Sequence, residues 1–240
     1  MRSYGLTDIG LSRKFNQDYS LECDEPIGNL DNLYVICDGL GGHNAGEFAS
    51  ENAAEIFFDL CESSDSRMPL SIFREAVNKV NELIYYKGRE SEYQGMATTL
   101  VAATIRDATA YIINVGDSRA YVVNREEITQ ITWDHSYVGE LIREGKISRD
   151  EARFHSKNNV ITRAIGAERK VEPDYFQVTM DPGDTLLLCS DGLYNMVSEQ
   201  AIHKVLNAKM PLSVKAKKLI DMANAAGGKD NIAVVLITED

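Results

Sequence analysis

"AYIINVGDSRAYVVN", residues 110–124, sets two runs rich in Tyr, Ile and Val on either side of Gly116-Asp117-Ser118-Arg119. β-Branched and aromatic residues in short runs are strand formers. A spacer this short, built on Gly and Asp, predicts a hairpin and therefore antiparallel pairing. The same texture recurs in "NLYVIC" (32–37), "ATTLVAATI" (97–105), "DTLLLC" (184–189) and "IAVVLI" (232–237). Helical periodicity fills the intervals. From about Ala45 to Leu60, residues Phe48, Asn52, Ile56 and Leu60 recur at a spacing of four beside Ala49 and Ala53. After the loop "CESSDSRMPL" (61–70), a second stripe comprises Ile72, Phe73, Ala76, Val77, Val80, Leu83 and Ile84. Two more helices are expected near the C-terminus: "SEQAIHKVLN" (198–207), with Ser198 as N-cap, and "LSVKAKKLIDMANAA" (212–226), stopped by Gly227-Gly228. A helix with one apolar stripe must lie on a sheet or on another helix. Antiparallel strands with two pairs of such helices give an α+β architecture, stacked sheets with helices packed outside.

With 240 residues, 44% of them hydrophobic, the chain can bury a sizeable core, and no linker or repeat divides it. A single domain over residues 1–240 is expected, with a charged insertion, or flap, at about 134–165. The formal net charge of −12 argues against a nucleic-acid partner, because phosphate backbones select basic faces. The four cysteines show no CxxC spacing, and Cys37 and Cys189 sit in apolar runs as small hydrophobes, which suits a reducing compartment. The N-terminus has no apolar signal region, and no run approaches the roughly 18 residues of a membrane span. No membrane association and a cytoplasmic location are the expectations.

The acids at strand ends carry more information. "YVICDGLGG" (34–42) and "LLLCSDGLYN" (186–195) are apolar strands ending in Asp-Gly-Leu, at Asp38 and Asp191. Asp117 sits in the spacer of the opening stretch, and Asp230 stands just ahead of the last strand. Any one aspartate at such a place reads as a turn residue whose side chain bonds the backbone two residues on. Four at the mouths of buried strands read differently, since clustered carboxylates raise one another's pKa and only cations relieve that. Oxygen donors without His or Cys suit Mg²⁺ or Mn²⁺ rather than zinc. Glycine after Asp38 would let the Gly39 carbonyl approach an ion closely. Upstream, "SRKFNQDYSL" (12–21) holds Arg13, whose forked donors match phosphate oxygens, and a fifth acid, Asp18. Alone, Arg13 would read as a surface arginine.

Eight motifs stand in order along the chain: "RKFNQD" (13–18), "CDGLGGH" (37–43), "MATTLVAA" (96–103), "NVGDSRAY" (114–121), "TWDHS" (132–136), "ITRAIG" (161–166), "LLLCSDGL" (186–193) and "GGKDNIAVV" (227–235). Together they resemble the metal-dependent type-2C serine/threonine protein phosphatases in their short bacterial form, from about Leu6 to Ile237. The resemblance implies a four-layer αββα sandwich holding two Mn²⁺ or Mg²⁺ ions between its sheets. It implies that Asp38 bridges the ions with the Gly39 carbonyl on one of them. Asp191 and Asp230 then bind the other, and Asp18 acts as an outer ligand through water. Asp117 with Asp191 resembles the pair holding a third, weaker ion, and Arg13 matches the phosphate-binding arginine. A water activated between the ions would attack phosphorus in line, with His43 as the candidate acid for the leaving oxygen. Cys37 and Cys189 have no nucleophilic role in that scheme.

The flap departs from the family pattern His-Pro-x-Arg-Asn: here "HSKNN" (155–159) puts Ser156 and Asn158 where proline and arginine are usual. His135 and His155 read as structural or flap residues, and His203 as a solvated helix residue. The implied activity is hydrolysis of phosphoserine and phosphothreonine on proteins, opposing a cognate serine/threonine kinase, by a monomer. One rival is a catalytically silent phosphoprotein-binding module of the same fold. Another is a two-metal hydrolase of small phosphoesters or nucleic acid. A silent module would be expected to lose ligand acids, and here the acids and Arg13 are all present.

Overall fold

Two sheets organise the chain in its computed structural model, which describes residues 1–42, 45–148, 151–152 and 155–239. In one, β1 (Arg2–Asp8), β11 (Ile232–Thr238), β10 (Thr185–Cys189), β7 (Arg119–Val123) and β8 (Ile128–Gln130) lie side by side in that order. The other runs β2 (Asp18–Cys23), β3 (Leu33–Leu40), β5 (Leu100–Arg106), β6 (Thr109–Val115) and β9 (Asp174–Thr179). The short β4 (Ala97–Thr98) pairs with the end of β3. Every one of these pairings is antiparallel.

Side-chain alternation then sets the layers. On β3, Leu33, Val35 and Cys37 pack with Phe57 and Phe73 of helices α1 (Ala45–Glu62) and α2 (Pro69–Lys87). Tyr34 and Ile36, between them, face the other sheet and join Leu186, Leu188, Val235 and Ile237. Leu187, Cys189, Val234 and Leu236 point the opposite way, onto α5 (Glu199–Leu206) and α6 (Leu212–Ala225). Central strands are thus buried on both faces, which is why they read as unbroken apolar runs. Each fully buried Leu, Val or Ile contributes about 1.5–3 kcal/mol relative to exposure. The layers run helices, sheet, sheet, helices, as the sequence implied. Shorter helices include α3 (Tyr137–Arg143) in the flap, capped by Ser136, and α4 (Asp191–Tyr194) directly after β10. All four cysteines are free, and among the described residues no helix is long and apolar enough to cross a membrane.

Four expectations need correction. The opening stretch is not a hairpin: β6 pairs with β5 and β9 in one sheet, while β7 pairs with β10 and β8 in the other. The three residues between them, Gly116 to Ser118, turn a corner from sheet to sheet, and Gly116 makes it with φ +110°. A side chain there would also collide with Thr99, whose Cγ2 lies 2.5 Å from the position of a Cβ. Second, "ATTLVAATI" is not one strand, because Thr99 leaves the ladder to bond Asp38, donating its N–H to the Asp38 carbonyl at 2.9 Å. Third, His203 is not solvated; it is half-buried with Nε2 3.1 Å from the Asn124 carbonyl. Leu83, placed on the buried stripe of α2, is 41% exposed.

Candidate active site

Asp18 opens β2 directly opposite Asp38 on β3. Asp18 is buried, and Ser190 Oγ donates to its Oδ2 at 2.6 Å, leaving Oδ1 without a hydrogen-bond partner. Burial pushes the Asp18 carboxyl up to about 8, and Asp191 and Asp230 add to the rise. Asp38 opens partly to the cleft, and desolvation, then repulsion from Asp18, Asp191, Asp117 and Asp230, holds it well above the usual carboxylate range. Its backbone is fixed: the N–H donates to Thr99 Oγ1 at 2.9 Å and the carbonyl accepts from Thr98 Oγ1 at 2.9 Å. Thr99 Oγ1 in turn lies 2.7 Å from Ser118 Oγ, which ties the Asp38 strand end to the Asp117 corner.

Asp191, the first residue of α4, accepts from Asn195 Nδ2 at 3.0 Å and is pushed up to about 7 by burial and by Asp230. Asp117 is buried at the corner between the sheets, its carbonyl accepting from Tyr194 Oη at 3.0 Å and its Oδ1 unpartnered. Burial first, then Asp191 and Asp134, raise its carboxyl well above the usual aspartate range. Asp230 accepts from Arg13 Nη2 at 2.7 Å and from the Asn231 N–H at 2.9 Å. Arg13 is raised by that hydrogen bond to Asp230 and by the fields of Asp230, Asp191 and Asp38, against the cost of its burial. The acids and the arginine named from the sequence therefore share one electrostatic cluster between the sheets.

Gly39 has a reason of its own to be glycine. A Cβ there would stand 2.0 Å from the Gly46 carbonyl oxygen and 2.9 Å from that of Gln17, so the start of α1 packs directly on the strand end. His43 lies outside the described residues. His135 is structural, as read: its Nδ1 accepts the Gly116 N–H at 3.1 Å and its Nε2 lies 3.1 Å from Asp174 Oδ2.

Sequence reading missed the residues that hold the cluster in place. Asn231 is buried and accepts the Gln17 N–H at 2.9 Å, while its Nδ2 donates to the Ile9 and Phe15 carbonyls at 2.9 Å each. It thereby clamps the loop that presents Arg13. The signal was an amide between Asp230 and an apolar strand, read only as a strand boundary. Arg119 forks onto Asp134 at 2.9 and 2.7 Å and lies 3.5 Å over the Tyr194 ring, fixing the residue that bonds the Asp117 carbonyl. Beside Asp117, a cavity of about 310 Å³ runs under the flap between Arg119, Trp133, Asp134, Val138 and Tyr194.

Among the described residues no three Asp, Glu, His or Cys side chains form a closed ligand cage. A hard dication does not need one, since Mg²⁺-like ions take one or two carboxylates and keep several waters. Two buried carboxylate oxygens without partners, in a cluster with more acid than Arg13 can balance, fit such ions. What this sandwich defines is a class of folds with acids gathered between two sheets, a setting suited to hard dications. Residues 10–232 match the family model described as Protein phosphatase 2C, and the chain belongs to that family. It is a serine/threonine protein phosphatase by its relatives. It is 41% identical to the serine/threonine phosphatase Stp of Listeria monocytogenes, over 98% of this chain and 94% of that one. The S. agalactiae serine/threonine phosphatase superposes with TM-score 0.93 at 35% identity, covering 100% and 99% of the two chains. The catalytic domain of the phosphatase PstP, solved with two manganese ions, gives TM-score 0.84 at 33% identity over 98% and 96%.

Proposed function

We propose that this phosphatase hydrolyses phosphoserine and phosphothreonine on proteins with Mn²⁺ or Mg²⁺ and opposes a serine/threonine kinase. The observation that carries the metal dependence is the pair of buried, unpartnered oxygens, Asp18 Oδ1 and Asp117 Oδ1, within a cluster of raised carboxylates. Asp38 with the Gly39 carbonyl, and Asp191 with Asp230, would hold the two principal ions; Asp18 would act through water, and Asp117 with Asp191 would hold a third. When bound, such ions supply positive charge that draws water toward its deprotonated form near neutral pH and polarises the phosphoryl group.

The chain's own residues do the rest. Arg13 lies half exposed at the mouth of the cluster, where its fork can leave Asp230 for two phosphate oxygens. Bidentate binding orients the phosphoryl group, and the guanidinium stabilises charge that grows on its oxygens during transfer. Thr99 and Ser118 lock the Asp38 backbone, and Asn231 locks the Arg13 loop, so that both reactant-facing groups stand in place beforehand. A serine or threonine alkoxide needs a proton as it leaves, and His43 is proposed as its donor from the sequence alone.

We further propose one domain over residues 1–240, with 134–165 as the flap, acting as a cytoplasmic monomer. Retention of Asp18, Asp38, Asp117, Asp191, Asp230 and Arg13 counts against a silent binding module. Phosphate release from a phosphothreonine peptide, with Mn²⁺ and after chelation, tests the proposal. Release should depend on the metal. A protein that releases no phosphate at saturating Mn²⁺, or releases it equally after chelation, would sink the reading.

A further inference from the structure

The loop that carries Arg13 exposes more apolar surface than its neighbours explain. Ile9 is 40% exposed, Leu11 70% and Phe15 50%, all within seven residues centred near Arg13. Exposed apolar side chains on a mobile loop would mean little. This loop is pinned from within at both ends and through Leu11 and Ser12. Asn231 Nδ2 holds the Ile9 and Phe15 carbonyls, the Gly228 carbonyl accepts the Leu11 and Ser12 N–H groups at 2.8 and 3.1 Å, and Asn231 Oδ1 takes the Gln17 N–H. Gly10, at φ +77°, donates its N–H to Asp8 Oδ1 at 2.8 Å. The loop backbone is thus held against Asn231 and Gly228, while Leu11 and Phe15 stay largely open to solvent.

We infer that Leu11 and Phe15 form an apolar docking rim for the phosphoprotein, which selects substrates with apolar residues beside the phosphorylated serine or threonine. The inference deepens the proposed function, and it rests on Arg13 holding the phosphate. Chain geometry links the two. Leu11 and Phe15 are each two residues from Arg13, so their Cα atoms lie within about 7 Å of its own. In an extended substrate the residues one and two positions from the phosphorylated one span the same distance. A peptide whose phosphate reaches Arg13 thus has its flanking side chains within reach of Leu11 or Phe15. Charge agrees with this choice of occupant: the loop's own ionised side chains between Ile9 and Gln17 are Arg13 and Lys14, cationic on a protein of net charge −12. Long-range attraction of a phosphopeptide is weak on such a protein, which leaves short-range apolar contact to supply binding.

The test uses two phosphoserine peptides of equal length and charge, with leucine or with glycine on both sides of the phosphoserine, and p-nitrophenyl phosphate as a substrate without flanks. Mn²⁺ is saturating throughout. The wild type should favour the leucine peptide by about fivefold or more in kcat/KM, expressed in KM, as partial burial of two apolar side chains would give. Leu11→Ser with Phe15→Ser should erase that preference, lowering the leucine peptide's kcat/KM relative to that of p-nitrophenyl phosphate, whose turnover also reports that the variant is folded. Equal KM for the two peptides in the wild type, or a preference that survives both substitutions, overturns the docking rim and leaves the phosphatase reading intact. Sedimentation showing a dimer that the two substitutions dissolve also overturns it, by making a second copy the occupant. If the wild type turns over none of the three substrates, the phosphate site itself fails and the rim with it.

Discussion

Asp38 faces Asp18 across the β2–β3 register and feels Asp191, Asp117 and Asp230 as well, so its charge opposes folding of the metal-free protein. Stability and activity should therefore respond in opposite directions when that charge is removed. Asp38→Asn is expected to cut phosphopeptide turnover by about 10²–10³-fold, the scale of losing one group that stabilises the transition state. In the metal-free form the same change should raise the melting temperature by roughly 2–4 °C for each kcal/mol of repulsion relieved. Calorimetry beside a turnover assay reads both, and a lowered metal-free melting temperature would contradict the repulsion argument. Asn231 behaves the other way. Asn231→Ala leaves the Ile9 and Phe15 carbonyls and the Gln17 N–H without their partner, at a cost of about 1–3 kcal/mol. It should also raise KM for phosphopeptides, since Arg13 loses its anchored loop; an unchanged KM would make Asn231 a purely structural clamp.

Among the elements, the corner between β6 and β7 has the least tolerance for change. Gly116 combines φ +110° with a Cβ position 2.5 Å from Thr99 Cγ2, so Gly116→Ala must shift backbone or Thr99. The expected cost is about 1–3 kcal/mol from strain at that φ alone. Because Thr99 also holds the Asp38 N–H, the variant should lose affinity for Mn²⁺ as well as stability, which titration calorimetry can separate. The flap is a contrasting element. Lys157 lies 4.8 Å over the Tyr137 ring, and Asn158 lines the cavity beside Asp117. Substitutions at Ser156, Lys157 and Asn158 should reorder phosphopeptides by kcat/KM while p-nitrophenyl phosphate stays within a few-fold. Equal losses on both kinds of substrate would place these residues in the chemistry or the fold instead.

Across the whole molecule, the acid cluster links pH, metal and stability. Unfolded aspartates titrate near roughly 3.9, whereas burial and mutual repulsion push Asp191 up to about 7 and Asp18 up to about 8. Between those limits the folded, metal-free protein keeps protons the unfolded chain has released. That contribution to stability is complete below the unfolded value and disappears as pH rises through the folded ones. Dications compete with the same protons, so the melting-temperature gain from saturating Mn²⁺ should be larger at pH 8 than at pH 6; an equal or smaller gain would mean the cluster does not bind the ion. Much of this was legible in the chain itself. Apolar runs buried on both faces named the central strands, and amphipathic stripes named the long helices, because burial writes its periodicity directly into sequence. The strand-end acids, with Arg13 and Asp18, were visible as residues out of place beside such runs. Polar edge strands such as "DYSLEC" and "DYFQVT" left no comparable pattern, since a half-solvated edge has little apolar signal. Tertiary structure alone decided the rest. Only the pairing of β6 and β7 into different sheets reveals that "GDSR" is a corner, since a short Gly-Asp spacer suits either path. Asn231 acts through partners over 200 residues away, and Arg119 reaches Asp134 only where β8 folds back beside β7, so neither contact can be read along the chain.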